Sequence, residues 1–128
     1  MKETDLCPCC SGKTYFNCCQ LVHQDHSKAT TAEALMRSRY SAFALRNADY
    51  LMLTTHSSQQ KYHSKEEYLA WATQNTWLKL EVVSALPEIV EFKAWYRNSK
   101  GEMFVHHERS TFLKENDLWF YVDGIFME

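Results

Sequence analysis

All five cysteines of this chain crowd into one short stretch, Cys7-Pro8-Cys9-Cys10-Ser11-Gly12-Lys13-Thr14-Tyr15-Phe16-Asn17-Cys18-Cys19. No other feature limits the fold so strongly, because clustered thiols bind metal, do redox chemistry or cross-link. The N-terminus carries charges where a signal peptide needs an apolar run, and no run of about 18 apolar residues occurs. The expected setting is therefore the cytoplasm, with no membrane partner. Disulfides are disfavoured in that reducing compartment, and five thiols cannot all pair within one chain.

Metal or redox chemistry is left. Cys7 with Cys9 and Cys18 with Cys19 can act as two chelating pairs, with Ser11-Gly12 turning the chain between them. Four thiolates suit the tetrahedral preference of zinc. The spacings are tighter than the usual two-residue knuckle, so two alternatives stay open: a Cys7–Cys10 redox dithiol and a vicinal Cys18–Cys19 disulfide. No strand precedes Cys7, which disfavours the dithiol. Polar neighbours argue against five thiols serving as small buried hydrophobes.

The rest of the chain changes texture once. With 128 residues and 45% hydrophobic content it has material for one core. A net charge of −2 excludes a strong global field toward nucleic acid. Ala32, Leu35, Met36, Tyr40 and Phe43 recur at helical spacing behind Thr30 or Thr31 as N-cap, with Glu33 within capping reach, predicting a helix over 31–46. A shorter one follows over 48–55, and Ser64 caps a third over 65–75 carrying Tyr68, Leu69 and Trp71. From Thr76 the alternation has period two. Strands are expected over 76–86, 88–97, 102–113 and 118–126, with Arg97–Glu102 and Lys114–Asp117 as hairpin turns. Helices followed by an antiparallel meander make an α+β fold whose sheet curls around the helices. His23, His26, His56 and His63 fall in polar segments and are expected to be solvated.

Cys7-Pro8-Cys9-x-Ser11-Gly12-Lys13-x-Tyr15-x-x-Cys18-Cys19 resembles the SEC-C motif, the zinc knuckle also found at the C-terminus of the SecA preprotein translocase. The resemblance implies Cys7, Cys9, Cys18 and Cys19 as ligands of one structural zinc per chain. Cys10, where the motif often has glycine, stays outside that shell. A shell of four thiolates leaves no site for water, so hydrolytic zinc is not expected. The loop of Lys13, Tyr15, Phe16 and Asn17 becomes a surface for a protein or RNA partner.

MRSRYSAFA, NADYLMLTTH and HHERSTFLKENDLWFYVDG resemble the bacterial YchJ family, whose domain is similar to the cone of nuclear transport factor 2. The implied division is 1–28 for the knuckle and linker and 29–128 for a curved antiparallel sheet packed on two or three helices. Such a cone implies a cavity, and alternation puts His106, Glu108 and Ser110 on one face between Phe104 and Phe112. With Arg39, Tyr40 and Trp71 from the helices they form the candidate pocket for a small ligand. Glu108 on an apolar face needs a partner: Arg37, Arg39 or a neighbouring histidine. An ion pair between Glu108 and Arg39 is the expectation. Trp95, Trp119 and Tyr121 fall on the opposite face, where they suggest a homodimer surface.

No nucleophile with a positioned base is identifiable, so the expected function leans away from an enzyme. The leading expectation is a zinc-binding adaptor working through its knuckle. The alternative is a ligand-binding or catalytic cone around Glu108 and Arg39.

Overall fold

The two periodicities of the sequence become two layers, described over residues 2–127 in a computed structural model. Helix α1 (Cys19–Gln24) follows the second cysteine pair. Then come α2 (Ala32–Ala44), α3 (Ala48–Leu53), α4 (Lys65–Gln74) and strands β1 (Thr76–Ala85), β2 (Ile89–Arg97), β3 (Met103–Glu115) and β4 (Leu118–Phe126). The three expected helices and four expected strands are present, with ends shifted by one or two residues. α1 is new: its sequence reads as a polar linker, but Cys19 buries its first turn and Val22 and His23 face the domain.

Helix starts are fixed by side-chain caps. Thr31 Oγ1 accepts from Ala34 N–H at 3.0 Å, Asn47 Oδ1 from Tyr50 N–H at 3.1 Å, and Ser64 Oγ from Glu67 N–H at 3.0 Å. Each cap contributes about 1 kcal/mol. Glu33 does not complete a capping box. It pairs with Arg37 Nε at 3.0 Å, one turn on.

The strands form one antiparallel sheet in the order β1-β2-β3-β4. Its β3–β4 turn places Asn116 and Asp117 at φ of 53° and 62°, the left-handed pair that a tight hairpin demands and that Asn and Asp tolerate. Register breaks between Trp77 and Lys79, between Val82 and Ser84, and opposite Thr111/Phe112 bend the sheet into a cone around α2.

The last of these breaks overturns a sequence expectation. Strict alternation puts Trp119 and Tyr121 on the face away from Gly124 and Phe126. Phe112 pairs with Tyr121 while Thr111 pairs with Asp123, so Val122 is an extra residue and resets the parity. Trp119 and Tyr121 therefore turn inward: Trp119 is buried and Tyr121 lines the interior of the cone. The expected outer aromatic patch does not form. Trp95 alone remains outside, under Lys79 Nζ at 4.2 Å from its ring centre, amid a charged face where Glu91 bridges His107 at 2.8 Å and Arg109 at 3.2 Å. With the patch goes the sequence argument for a homodimer. Among the described residues no helix is long and apolar enough to cross a membrane.

Candidate metal centre and cone cavity

The cysteine segment folds back on itself as a miniature hairpin, with Cys7 N–H donating to Lys13 O at 2.9 Å and Tyr15 N–H to Asp5 O at 3.0 Å. Gly12, at φ 86°, makes the turn. The Sγ atoms of Cys7, Cys9, Cys18 and Cys19 all lie within 4.8 Å of one another. Cys9 to Cys18 is 3.7 Å and Cys18 to Cys19 is 4.0 Å. Sulfurs about 2.3 Å from a central zinc-sized ion form a tetrahedron with edges of about 3.8 Å. The spacing fits such an ion and is far too long for a disulfide, whose S–S length is about 2.05 Å. All five thiols are free.

Proton sharing in this cluster is uneven. Cys7 is held well below the ordinary thiol range, first by its hydrogen bond with Cys19 and next by that with Cys9, and the contact with Cys7 pushes Cys19 up. One thiolate, on Cys7, is thus held by the neighbouring thiols, and thiolate is the form that binds soft cations. Ser11 Oγ sits 3.2 Å from Cys18 Sγ, giving the motif's serine an outer-shell role. Cys10 stands apart, exposed, at φ 64°, with its sulfur accepting from Leu80 N–H at 3.4 Å.

The knuckle is built into the domain. Ser41 Oγ of α2 lies 3.4 Å from Cys7 Sγ, and Arg37 Nη1 donates to Cys9 O at 2.7 Å. The buried Cys7, Cys9 and Cys19 belong to the same core as Leu35, Tyr40 and Phe112, so polar neighbours in sequence did not mean polar surroundings in space. His23 and His26, expected to be solvated, serve as stitches. His23 Nε2 donates to Ser38 O at 2.7 Å, which leaves Nδ1 to accept from Tyr15 O–H at 2.8 Å. His26 Nε2 donates to Trp119 O at 2.6 Å. Tyr15 is consequently drawn inward, while Lys13 and Asn17 stay exposed and Phe16 half-exposed.

On the other side of α2 lies a cavity of about 320 Å³. Arg39, Tyr40, Trp71, His106, Glu108 and Ser110 all line it. The expected ion pair is absent: among the described residues Glu108 and Arg39 form no salt bridge, because the inward Tyr121 takes up both. Its ring lies 4.5 Å from Arg39 Cζ, and its O–H reaches Glu108 Oε2 at 3.5 Å. Glu108 instead accepts from His106 Nε2 at 2.8 Å and from Ser110 Oγ. Burial raises the Glu108 carboxyl, but the bonds from His106 and Ser110 outweigh it and the net shift is downward, so the carboxylate is charged. Burial, then the charge of Glu108, holds the Tyr121 phenol above its ordinary value and keeps it a donor.

Sequence reading missed Tyr121, Tyr68 and His63 in this lining. A signal for Tyr121 existed in Gly124, since a glycine inside a strand often marks a bulge. His63 comes from a loop and stacks on Tyr68 at 5.3 Å, which no periodicity reports.

Comparison with known proteins agrees with both halves. The family profile described as YchJ, middle NTF2-like domain, matches residues 31–124, and the SEC-C motif matches residues 4–21. A UPF0225 protein of Vibrio parahaemolyticus is 42% identical over 128 residues, spanning 95% of this chain and 75% of its own length. One from Haemophilus influenzae is 40% identical over 122 residues, spanning 91% and 75%. The solution structure of a SEC-C motif containing protein from Rhodopseudomonas palustris superposes with a TM-score of 0.83 at 36% identity, covering 95% of this chain and 98% of that one. A crystal structure of a SEC-C motif containing protein from Psychrobacter arcticus gives 0.80 at 30% identity, covering 98% and 85%.

Proposed function

The chain belongs to the YchJ (UPF0225) family, a SEC-C motif joined to an NTF2-like domain, and from that premise we propose that it is a zinc-stapled small-molecule-binding protein. One observation carries this reading. A domain that only had to fold would fill its centre with side chains, since interiors are close-packed. This one keeps a cavity of about 320 Å³ and sets a buried arginine and a buried glutamate in its wall. Buried charges are costly and concentrate at sites that use them.

Zinc in the four-sulfur site is the structural half of the proposal. Cys7, Cys9, Cys18 and Cys19 would hold it with no position open to water, so its contribution is stability. The binding half is tested by ligand-detected NMR with an aromatic fragment library against the wild type and Ala94→Phe, which fills the cavity from β2. Fragments should bind the wild type and lose contact in the filled variant. No binding, or equal binding by both, overturns the cavity reading.

A second reading, an adaptor for a protein or RNA partner, is supported by the exposed Lys13 and Asn17, the latter standing with Phe16 and Glu3 around a shallow surface groove. Tyr15 does not contribute to it. A pull-down comparing the intact chain with a Lys13→Glu/Asn17→Ala double variant decides this: a partner lost in the variant supports the adaptor, and identical captures reject it.

A further inference from the structure

The two charges in the cavity wall are partnered unequally. Glu108 has its donors in His106, Ser110 and Tyr121. Arg39, only 6% exposed, has no carboxylate within salt-bridge distance among the described residues. Nη1 donates to Leu51 O at 2.9 Å and Thr54 Oγ1 at 2.7 Å, and Nη2 donates to Tyr68 O–H at 3.3 Å. All of these acceptors are neutral. Nε–H and the second Nη2 hydrogen have no partner among the described residues, and the side chain lines the cavity. Its field reaches the neighbours: His63 is lowered first by burial and next by the charge of Arg39.

A buried cation with neutral hydrogen-bond acceptors and aromatic faces around it, and no carboxylate directly on it, keeps a desolvation cost that an anion placed at its free donors offsets. Two free guanidinium donors match the two oxygens of a carboxylate. Tyr121 stands between Arg39 and Glu108, so an anion beside Arg39 does not meet the glutamate directly. Met36, Phe43, Trp71, Trp77, Phe92 and Phe112 supply flat and apolar walls for the remainder of a ligand. The volume of about 320 Å³ is at the small end of the roughly 300–1,000 Å³ typical of ligand pockets, room for one or two fused rings.

We propose that the cavity takes a small flat aromatic carboxylate with its anionic group at the free donors of Arg39. This rests on the cavity reading above and adds the ligand's charge and anchor. The test is a calorimetric titration of the zinc-loaded full chain with three probes of one shape: 2-naphthoate, neutral 2-naphthamide and cationic 2-naphthylmethylamine. The expected order is naphthoate tightest, by at least about tenfold over the amide, with the amine weakest. Arg39→Met should bring naphthoate down to the level of the amide. Because Arg39 also ties α3 to the core, the probe series on the wild type decides if that variant does not fold. An amide that binds as well as naphthoate, or an amine that binds best at Glu108, leaves the cavity reading standing and overturns the anion. Failure of all three probes overturns both.

Discussion

Gly124 shows how much one missing methyl group decides. Its position opposite Ser110 aims the absent side chain into the cone, and a Cβ there would lie 2.8 Å from Glu108 Cγ and closer still to the carboxylate. The glycine is what lets Glu108 lie flat against β4 and reach His106 and Ser110. Gly124→Ala should destabilise the fold by about 1–3 kcal/mol, because the added methyl group overpacks against the Glu108 side chain. Urea denaturation of the variant at wild-type stability would remove this account. At Cys10 the argument runs the other way. Its φ of 64° costs a side-chain-bearing residue about 1 kcal/mol, and its sulfur lies outside the four-sulfur cluster. Cys10→Gly relieves that backbone cost but gives up the bond from Leu80 N–H, so it should keep one metal per chain at near wild-type stability, while Cys19→Ser should lose the metal. Elemental analysis separates the two, and a Cys10→Gly chain without metal would put that sulfur in the shell.

Helix α2 is the element that joins the two sites. Met36, Arg39, Tyr40 and Phe43 share one stripe at helical spacing and line the cavity. Arg37, Ser38 and Ser41 share another and hold Cys9, His23 and Cys7. The first stripe was legible in the sequence because its residues are large and mostly apolar. The second was not, since serine and arginine read as a solvent face until the knuckle is seen docked on it. Val122 escaped for a related reason: a bulge changes the parity of a strand without changing its composition. The His23 stitch gives a pH test of the docking. Burial lowers its pKa from 6.5, so the folded chain holds it neutral. Its contribution is complete above the unfolded value and is lost as pH falls through the lowered folded one. The stability gap between wild type and His23→Gln should therefore be largest near neutrality and shrink on acidification, measured with metal present in both. A gap independent of pH would mean that His23 is not held neutral.

At the scale of the whole molecule the knuckle and the cone have one core, so they should unfold together. Structural zinc in zinc-finger peptides contributes an apparent 10–16 kcal/mol or so at neutral pH, as much as the roughly 5–15 kcal/mol that stabilises a typical domain. Without a metal, four clustered thiols stand beneath α2, with Cys7 and Cys9 buried in the shared core. The loss should spread through Ser41 and Arg37 to the helix, and through its opposite stripe to the cavity. Chelation should therefore produce a single cooperative transition at a much lower temperature, seen equally by Tyr15 in the knuckle and by Trp77 and Trp119 in the cone. Ligand binding should vanish in step with it. Deleting residues 1–28 should have the same effect, because it strips the partners from Arg37, Ser38 and Ser41 on α2. Two separate transitions, or tryptophan signals indifferent to chelation, would show the cone to be self-sufficient and reduce the metal to a local clasp.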